Sequence, residues 1–175
     1  MRKLQNSELN RINIDDFKKA TKTPIIVVLD NIRSLNNIGS VFRTADAFLI
    51  QKICLCGITC TPPHRDIHKT ALGATDSVDW EYFETTSDCI EKLKEDKVTI
   101  ISIEQTDNSI SLEELIPQKN QIYAVVFGNE VYGIGDEIIQ QSDICVEIAQ
   151  YGTKHSLNIS VCCGIVLYEM FKKLS

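Results

Sequence analysis

The run Ile25-Ile26-Val27-Val28-Leu29 decides the fold of this chain. All five residues are apolar, which is typical of a strand that is buried on both faces of a sheet. Further apolar runs follow at residues 98–103, 122–127 and 144–148. Helical patterns lie between these runs, and the connections are short. Alternation of this kind predicts an α/β fold, with a mostly parallel sheet and helices on both faces.

The remaining elements follow from the same patterns. Short strands are predicted at residues 53–56 and 80–83, with a loop over 59–69 that contains Pro62 and Pro63. The predicted helices cover residues 7–20 in short pieces, 38–48, 87–95, 111–116, 136–140 and 157–173. The helix at 111–116 rests on a capping box that begins at Ser111. In the first segment Leu9, Ile12 and Phe17 are the predicted buried side.

Length and composition indicate a single domain over residues 1–175, with residues 1–22 as a short N-terminal helical extension. The chain has 43% hydrophobic and 24% charged residues, as soluble globular proteins do. No apolar run approaches the roughly 18 residues that cross a bilayer, and the first residues do not resemble a signal peptide. We therefore expect a cytoplasmic protein.

The net charge of −6 argues against nucleic-acid binding through the overall field of the chain. Basic residues nevertheless concentrate near the N-terminus, which gives weak support for an anionic partner. They are Arg2, Lys3, Arg11, Lys18, Lys19 and Lys22.

The seven cysteines are odd in number and lie mostly in apolar patterns, which predicts reduced, buried thiols. Cys60, His64 and His68 would share one face of a helix and could then bind a metal. Pro62-Pro63 breaks such a helix, so these histidines are better interpreted as surface loop residues. No metal is predicted.

Three polar stretches border the apolar elements: Asn36-Asn37-Ile38-Gly39-Ser40 running on to Arg43, residues 128–135, and Ser156-Leu157-Asn158-Ile159-Ser160. In parallel α/β sheets, ligand-binding and active sites commonly lie at the carboxyl ends of the strands. Each stretch also has a structural interpretation: a surface charge for Arg43, a tight turn for 128–135, and a helix N-cap for Ser156. Residues 128–135 fit neither a Walker A loop nor a dinucleotide-binding glycine pattern.

Together the three stretches resemble the three motifs of the SpoU-type, TrmH-like RNA 2′-O-ribose methyltransferases of the SPOUT superfamily. Residues 36–43 match the first motif, 125–130 with Gly133 the second, and 148–160 the third. The resemblance extends over about residues 24–171. One departure is Ala149, where the family usually has proline.

The resemblance implies a C-terminal deep trefoil knot, homodimers, and methylation of a ribose 2′-OH of tRNA or rRNA. It also implies S-adenosylmethionine as the cofactor, contacted by Ile103, Gly128, Ile148 and Leu157. Arg43 would be the catalytic residue, and the groups that orient it and the ribose would be Asn36, Glu130, Ser156 and Asn158. The dimer surface could come from Ile165, Val166, Tyr168, Met170 and Phe171 of the last helix. A non-catalytic RNA- or nucleotide-binding module of the same fold is the alternative.

Overall fold

The structure is a computed structural model, and it describes residues 1–175 except for the side chain of Asn6. In the described part, seven strands form one sheet. They are β1 (Thr23–Asp30), β2 (Ile50–Cys56), β3 (Trp80–Phe83), β4 (Thr99–Ile103), β5 (Ile110–Ser111), β6 (Tyr123–Phe127) and β7 (Ile144–Glu147). The strand order is β3-β2-β1-β6-β4-β7-β5, and each adjacent pair is parallel.

Helices cover both faces of this sheet. They are α1 (Ile14–Lys19), α2 (Leu35–Ala47), α3 (Arg65–Ala71), α4 (Ala74–Ser77), α5 (Thr86–Glu95), α6 (Asp136–Gln141) and α7 (Ile159–Leu174), and a 3-10 turn spans Asn6–Glu8. The predicted α/β class with a parallel sheet is confirmed. Among the described helices, none has the length and apolar character needed to span a bilayer.

Strand β1 divides the core into two layers. Val27 and Leu29 pack into the layer that contains α2 and α7, whereas Ile26 and Val28 pack into the layer beneath α5 and α6. All four side chains are buried, as the continuous apolar run predicted. Because the strands are parallel, their carboxyl ends and the loops that follow them lie along one edge of the sheet.

The predicted helix at residues 111–116 is wrong. Residues Ile110–Ser111 form the edge strand β5, and a turn follows. The side chain of Glu114 accepts a hydrogen bond from the Ser111 N–H at 3.3 Å, as a capping box requires. The backbone carbonyl groups that follow, however, bind Lys173. Its ammonium group donates to the carbonyl oxygens of Leu112, Glu113 and Leu115 at 2.9 Å each. These tertiary contacts keep the segment out of a helix.

The predicted loop at 59–69 is also wrong in part, because α3 begins at Arg65. His64 caps this helix: its Nδ1 accepts a hydrogen bond from the Asp66 N–H at 3.2 Å. The helix therefore starts directly after the two prolines that suggested a loop.

In the N-terminal segment, Phe17 is buried as predicted, but Leu9 and Ile12 are 39% and 52% exposed. Helix α1 begins only at Ile14, after the Asn13 cap, so both residues lie outside it.

The cysteines match the prediction of reduced thiols, and all seven are free. Cys54, Cys56, Cys89 and Cys163 are buried, Cys145 and Cys162 are half-buried, and Cys60 is exposed.

Candidate active site

A cavity of about 350 Å³ lies at the carboxyl ends of β4, β6 and β7, beside the start of α7. Its wall includes all four residues predicted to bind the cofactor: Ile103, Gly128, Ile148 and Leu157. Three of the predicted orienting residues, Glu130, Ser156 and Asn158, line the same cavity. The structure thus brings the second and third motif stretches together around one concave site, which is the position expected for a ligand in a parallel sheet.

The lining of this cavity combines an apolar slot with polar groups. Phe127, Ile103, Ile148 and Ile159 supply apolar surface. Besides Glu130, Ser156 and Asn158, the polar members are Glu104, Gln105, Asn129, Glu147, Gln150 and His155. Ligand sites commonly have this composition, with volumes from about 300 Å³ upward. The shape and chemistry therefore suit a small organic ligand that has both an apolar ring and polar substituents.

The loop after β6 is held by Asn129. Its backbone forms a two-way bridge with Gly133, with N···O distances of 3.0 and 2.9 Å. Its side-chain oxygen accepts from the N–H groups of Val131 and Tyr132, and its amide nitrogen donates to the carbonyl of Asn31 at 2.7 Å. Asn129 therefore closes the loop on itself and ties it to the segment after β1.

Two glycines in this loop are required by their surroundings. A Cβ on Gly128 would lie 2.3 Å from the carbonyl carbon of Gly133 and 2.5 Å from the backbone nitrogen of Ile134. Gly133 has φ of +67°, and a Cβ there would lie 2.4 Å from the carboxylate of Glu104. The resemblance to the family implies that Gly128 contacts the cofactor, which a side chain at this position would block. The structure adds a second reason, which is that the returning loop leaves no space for a side chain.

Glu130 connects this loop to the start of α2. Its carboxylate accepts hydrogen bonds from the N–H groups of Arg33 and Ser34, both at 3.0 Å, and from the side-chain amide of Asn37 at 3.1 Å. Partial burial raises the pKa of Glu130, but these hydrogen bonds outweigh burial and hold its pKa below the ordinary value. Glu130 is therefore a charged acceptor at neutral pH, with its oxygens already engaged.

Asn158 extends the same network to the third motif. Its side-chain amide donates to Oδ1 of Asn37 at 3.2 Å. Its own Oδ1 accepts from the backbone N–H of Ser160 at 2.9 Å and from the Ser160 hydroxyl at 2.7 Å. Asn158, and not Ser156, is thus the N-cap of α7, so the interpretation of Ser156 as that cap is wrong.

Asn37 is the residue that sequence reasoning missed. It bonds to Glu130 on one side and to Asn158 on the other, and so joins all three motif stretches. The sequence placed the start of α2 near Ile38, whereas the N-cap is Ser34, whose Oγ accepts from the Asn37 N–H at 3.3 Å. A correct helix start would have put Asn37 in the first turn, at the edge of the site.

Asn36 and Arg43 lie outside the cavity lining. Asn36 is exposed, and its carbonyl oxygen accepts from the hydroxyl groups of Ser40 and Thr70. Arg43 is exposed on α2, and its guanidinium makes no hydrogen bond or ion pair with any residue that the structure describes. The catalytic roles assigned to these two side chains stay predictions.

Cys162, on the first turn of α7, also lines the cavity. Burial raises the pKa of its thiol to about 11, which keeps it protonated at neutral pH. Within the described residues, no three histidine, cysteine or acidic side chains converge as metal ligands would. The site is built for hydrogen bonding and apolar contact.

The family model of the SpoU rRNA methylase family matches residues 24–168, which include every motif described above. The chain belongs to this family. A relative is the 23S rRNA (guanosine-2′-O-)-methyltransferase RlmB of Neisseria meningitidis, which is 27% identical over 161 residues, covering 91% of this chain and 63% of that protein. The tRNA (guanosine(18)-2′-O)-methyltransferase of Aquifex aeolicus is 30% identical, covering 83% of this chain and 67% of that protein.

The fold of this SpoU family member also matches solved structures. An AdoMet-bound rRNA methyltransferase from Sinorhizobium meliloti superposes with a TM-score of 0.81 at 23% identity, covering 91% of this chain and 60% of that one. At this identity the likeness concerns the fold. The chain spans less than two thirds of the length of the first curated relatives that it matches, such as 63% of the Neisseria protein.

Proposed function

We propose that this chain transfers a methyl group from S-adenosylmethionine to a ribose 2′-hydroxyl of tRNA or rRNA. The observation that carries the proposal is the hydrogen-bonded chain from Glu130 through Asn37 to Asn158, which gathers three distant motif stretches at the rim of one cavity. Membership of the SpoU rRNA methylase family supports it. So do the relatives from Neisseria and Aquifex, both of which carry the name of a guanosine 2′-O-methyltransferase.

The residues of the cavity fit S-adenosylmethionine. Ile103, Ile148 and Leu157 offer the apolar contacts that an adenine ring needs, and Gly128 leaves its backbone open on the cavity side. A volume of about 350 Å³ is within the range of small-molecule sites. When bound, this cofactor supplies a methyl group on a sulfonium, which is already activated for transfer. The protein then has to orient the acceptor and manage its proton.

A ribose 2′-hydroxyl is a very weak acid, so its proton must be accepted or its developing charge stabilised as the bond to carbon forms. Glu130 is unsuited to accept that proton, because its oxygens are occupied by three donors and its pKa is lowered. We assign stabilisation of the developing negative charge to Arg43, whose exposed guanidinium is free to bind an RNA phosphate, while the hydroxyl proton passes to solvent. Asn37, Asn158 and Ser156 orient the ribose and the loops, and Asn36 is kept as a predicted contributor.

The proposed working form is a homodimer. Arg43 lies outside the cavity lining of its own chain, which suits a site completed near an interface. Of the residues predicted for the dimer surface, Val166 and Met170 are buried in the core of the chain itself, whereas Ile165 and Tyr168 are exposed. Exposed Val161 extends this apolar face of α7. We therefore place a second copy against the outer face of α7.

A trefoil knot, a single domain and a cytoplasmic location complete the proposal. The knot rests on membership of the SpoU rRNA methylase family. Residues 1–22 are proposed as a short extension of the same domain, because Phe17 of α1 packs into the main core.

Methyl transfer to RNA tests the proposed function directly. Total tRNA and rRNA from cells that lack the gene would be incubated with the protein and S-adenosylmethionine, digested to nucleosides, and analysed by mass spectrometry. We expect one 2′-O-methylnucleoside to increase, and the Arg43→Ala protein to produce none. Methylation on a base, or equal transfer by Arg43→Ala, would contradict the assignment.

A further inference from the structure

A second concave surface lies away from the proposed active site, between α3 and the edge strand β3. It is a shallow cavity of about 520 Å³. Its lining includes Arg65 and His68 of α3, Asp76, and Trp80 of β3. We call this surface the α3 face. It combines an aromatic side chain with cationic and hydrogen-bonding groups, although the chain as a whole is acidic.

Trp80 is the only tryptophan of the chain, and it is 38% exposed on the outermost strand of the sheet. Indole rings offer a large flat surface on which an unpaired base stacks, whatever its identity. Arg65 and His68 are exposed and one helical turn apart on α3, and both line the same cavity as Trp80. The acidic neighbours are Asp76 in the cavity wall and Asp66 on α3.

The α3 face is fixed rigidly to the helix that carries Arg43. A Cβ on Gly39 of α2 would lie 2.2 Å from the carbonyl oxygen of Ile67 and 2.1 Å from the Oγ1 of Thr70. The same hydroxyl of Thr70 donates to the carbonyl of Asn36 at 3.0 Å. Because α2 and α3 are in direct contact here, a ligand on the α3 face has a defined position relative to Arg43.

We propose that the α3 face binds an unpaired nucleotide of the RNA, outside the nucleotide that is methylated. Its base stacks on Trp80, while Arg65 and His68 hold the adjoining phosphate. Stacking of a base on an aromatic side chain and an arginine contact to phosphate are the usual elements of single-strand recognition. This inference rests on the proposed function, because it assumes that RNA is the substrate.

The lone tryptophan makes the surface directly observable. An unstructured ten-nucleotide RNA would be titrated into the protein while Trp80 fluorescence is recorded, with no cofactor present. We expect saturable quenching that weakens as salt is raised. Each phosphate contact to a single strand contributes about −0.7 to the slope of log affinity against log salt, so Arg65→Gln should make that slope shallower by about 0.7.

Four variants, including Arg65→Gln, separate stacking from charge. Binding of a fluorescein-labelled copy of the same RNA, followed by anisotropy, should weaken roughly tenfold or more in Trp80→Ala and much less in Trp80→Phe, which keeps a ring. Lys94→Gln, at an exposed position on α5, is the matched control for charge removal and should bind as the wild type does. The melting temperature of each variant reports on folding, and a Trp80→Ala protein that fails to fold leaves Trp80→Phe and Arg65→Gln as the test.

Two results would overturn the inference. One is RNA binding by anisotropy with no change in Trp80 fluorescence and no loss in Arg65→Gln. The other is fluorescence that changes with protein concentration and not with RNA, which would mean that a second copy covers the α3 face. Neither result contradicts the proposed function, because the protein could still transfer a methyl group to RNA in the assay described above. A chain that quenches with RNA but never transfers a methyl group would instead contradict the proposed function alone.

Discussion

The carboxylate of Glu130 accepts a hydrogen bond from the side-chain amide of Asn37 at 3.1 Å, across 93 residues of sequence. This contact joins the loop after β6 to the first turn of α2, and Asn158 continues it to α7 at 3.2 Å. The three elements that form the proposed site are therefore locked together by side chains that have no role in the core. Their cost in desolvation is offset by these mutual bonds and by the bonds that Glu130 accepts from Arg33 and Ser34.

Replacement of Asn37 by alanine should lower the rate of methyl transfer by at least about tenfold, because Glu130 and Asn158 each lose a partner and the ribose loses its oriented amide. The neighbouring Asn36→Ala is the comparison, since both side chains lie outside the cavity lining but only Asn37 bonds to Glu130 and Asn158. Steady-state kinetics on both variants make the comparison. A larger loss in Asn36→Ala would return the role to the residue that the sequence first suggested.

Glu130→Gln should lower the free energy of unfolding at neutral pH by about 1 kcal/mol, because the exposed carboxylate loses charge-assisted bonds. The pKa of Glu130 in the folded chain is below its ordinary value of 4.5. Its contribution is therefore complete above about pH 4.5 and is lost as the pH falls through the folded pKa. Urea unfolding from pH 7 to pH 3 should show wild type and variant converging in acid. A gap that stays constant over this range would rule out the carboxylate as its cause.

Gly128→Ala should destabilise the chain by about 2–3 kcal/mol, because the new methyl group meets the backbone of Gly133 and Ile134. For a chain of this length the melting temperature would fall by roughly 5–10 °C. Gly152→Ala is the control, because a Cβ at Gly152 meets nothing within 4 Å. The melting temperature of Gly128→Ala should be clearly below that of Gly152→Ala. Equal melting temperatures would mean that the loop can shift to accept the new methyl group.

Alkylation by iodoacetamide should distinguish Cys162 from Cys60. Cys60 is exposed and should be labelled first. The pKa of Cys162 is raised to about 11, so only about one molecule in a thousand carries the thiolate at pH 8, and its labelling should accelerate about tenfold per pH unit. S-adenosylhomocysteine should slow the labelling of Cys162, which lines the cavity, and leave Cys60 unaffected. Mass spectrometry of tryptic peptides gives both rates. Unprotected Cys162 would place the ligand elsewhere.

The buried strands were the easiest part of the structure to predict. A continuous apolar run such as Ile25 to Leu29 is typical of a strand covered on both faces, and its side chains do pack into both layers of the core. Local signals failed where a distant group decided the outcome. The capping box at Ser111 predicts a helix, but Lys173, which comes from the end of α7, takes the carbonyls of that segment.

The site was predictable in its segments and less so in its individual side chains. Apolar periodicity alone does not fix the first residue of a helix, and α2 begins three residues before its predicted start. Asn36, which the family resemblance implied, does not make the contacts that Asn37 makes with Glu130 and Asn158. The steric requirement for glycine at position 128 could not be found from sequence either, because it depends on the position of the Gly133 backbone in the folded loop. The segments that build a cavity follow from strand ends, whereas the hydrogen bonds within it require coordinates.

Calorimetric titration of S-adenosylhomocysteine into the wild-type chain and into Arg43→Ala tests the central claim most directly. Both proteins should give saturable heat with the same dissociation constant, because Arg43 lies outside the cavity lining, while methyl transfer to RNA is lost in Arg43→Ala alone. An absence of saturable heat in the wild type would contradict the claim that this cavity holds a methyl donor, and would favour a non-catalytic RNA-binding protein of the same fold.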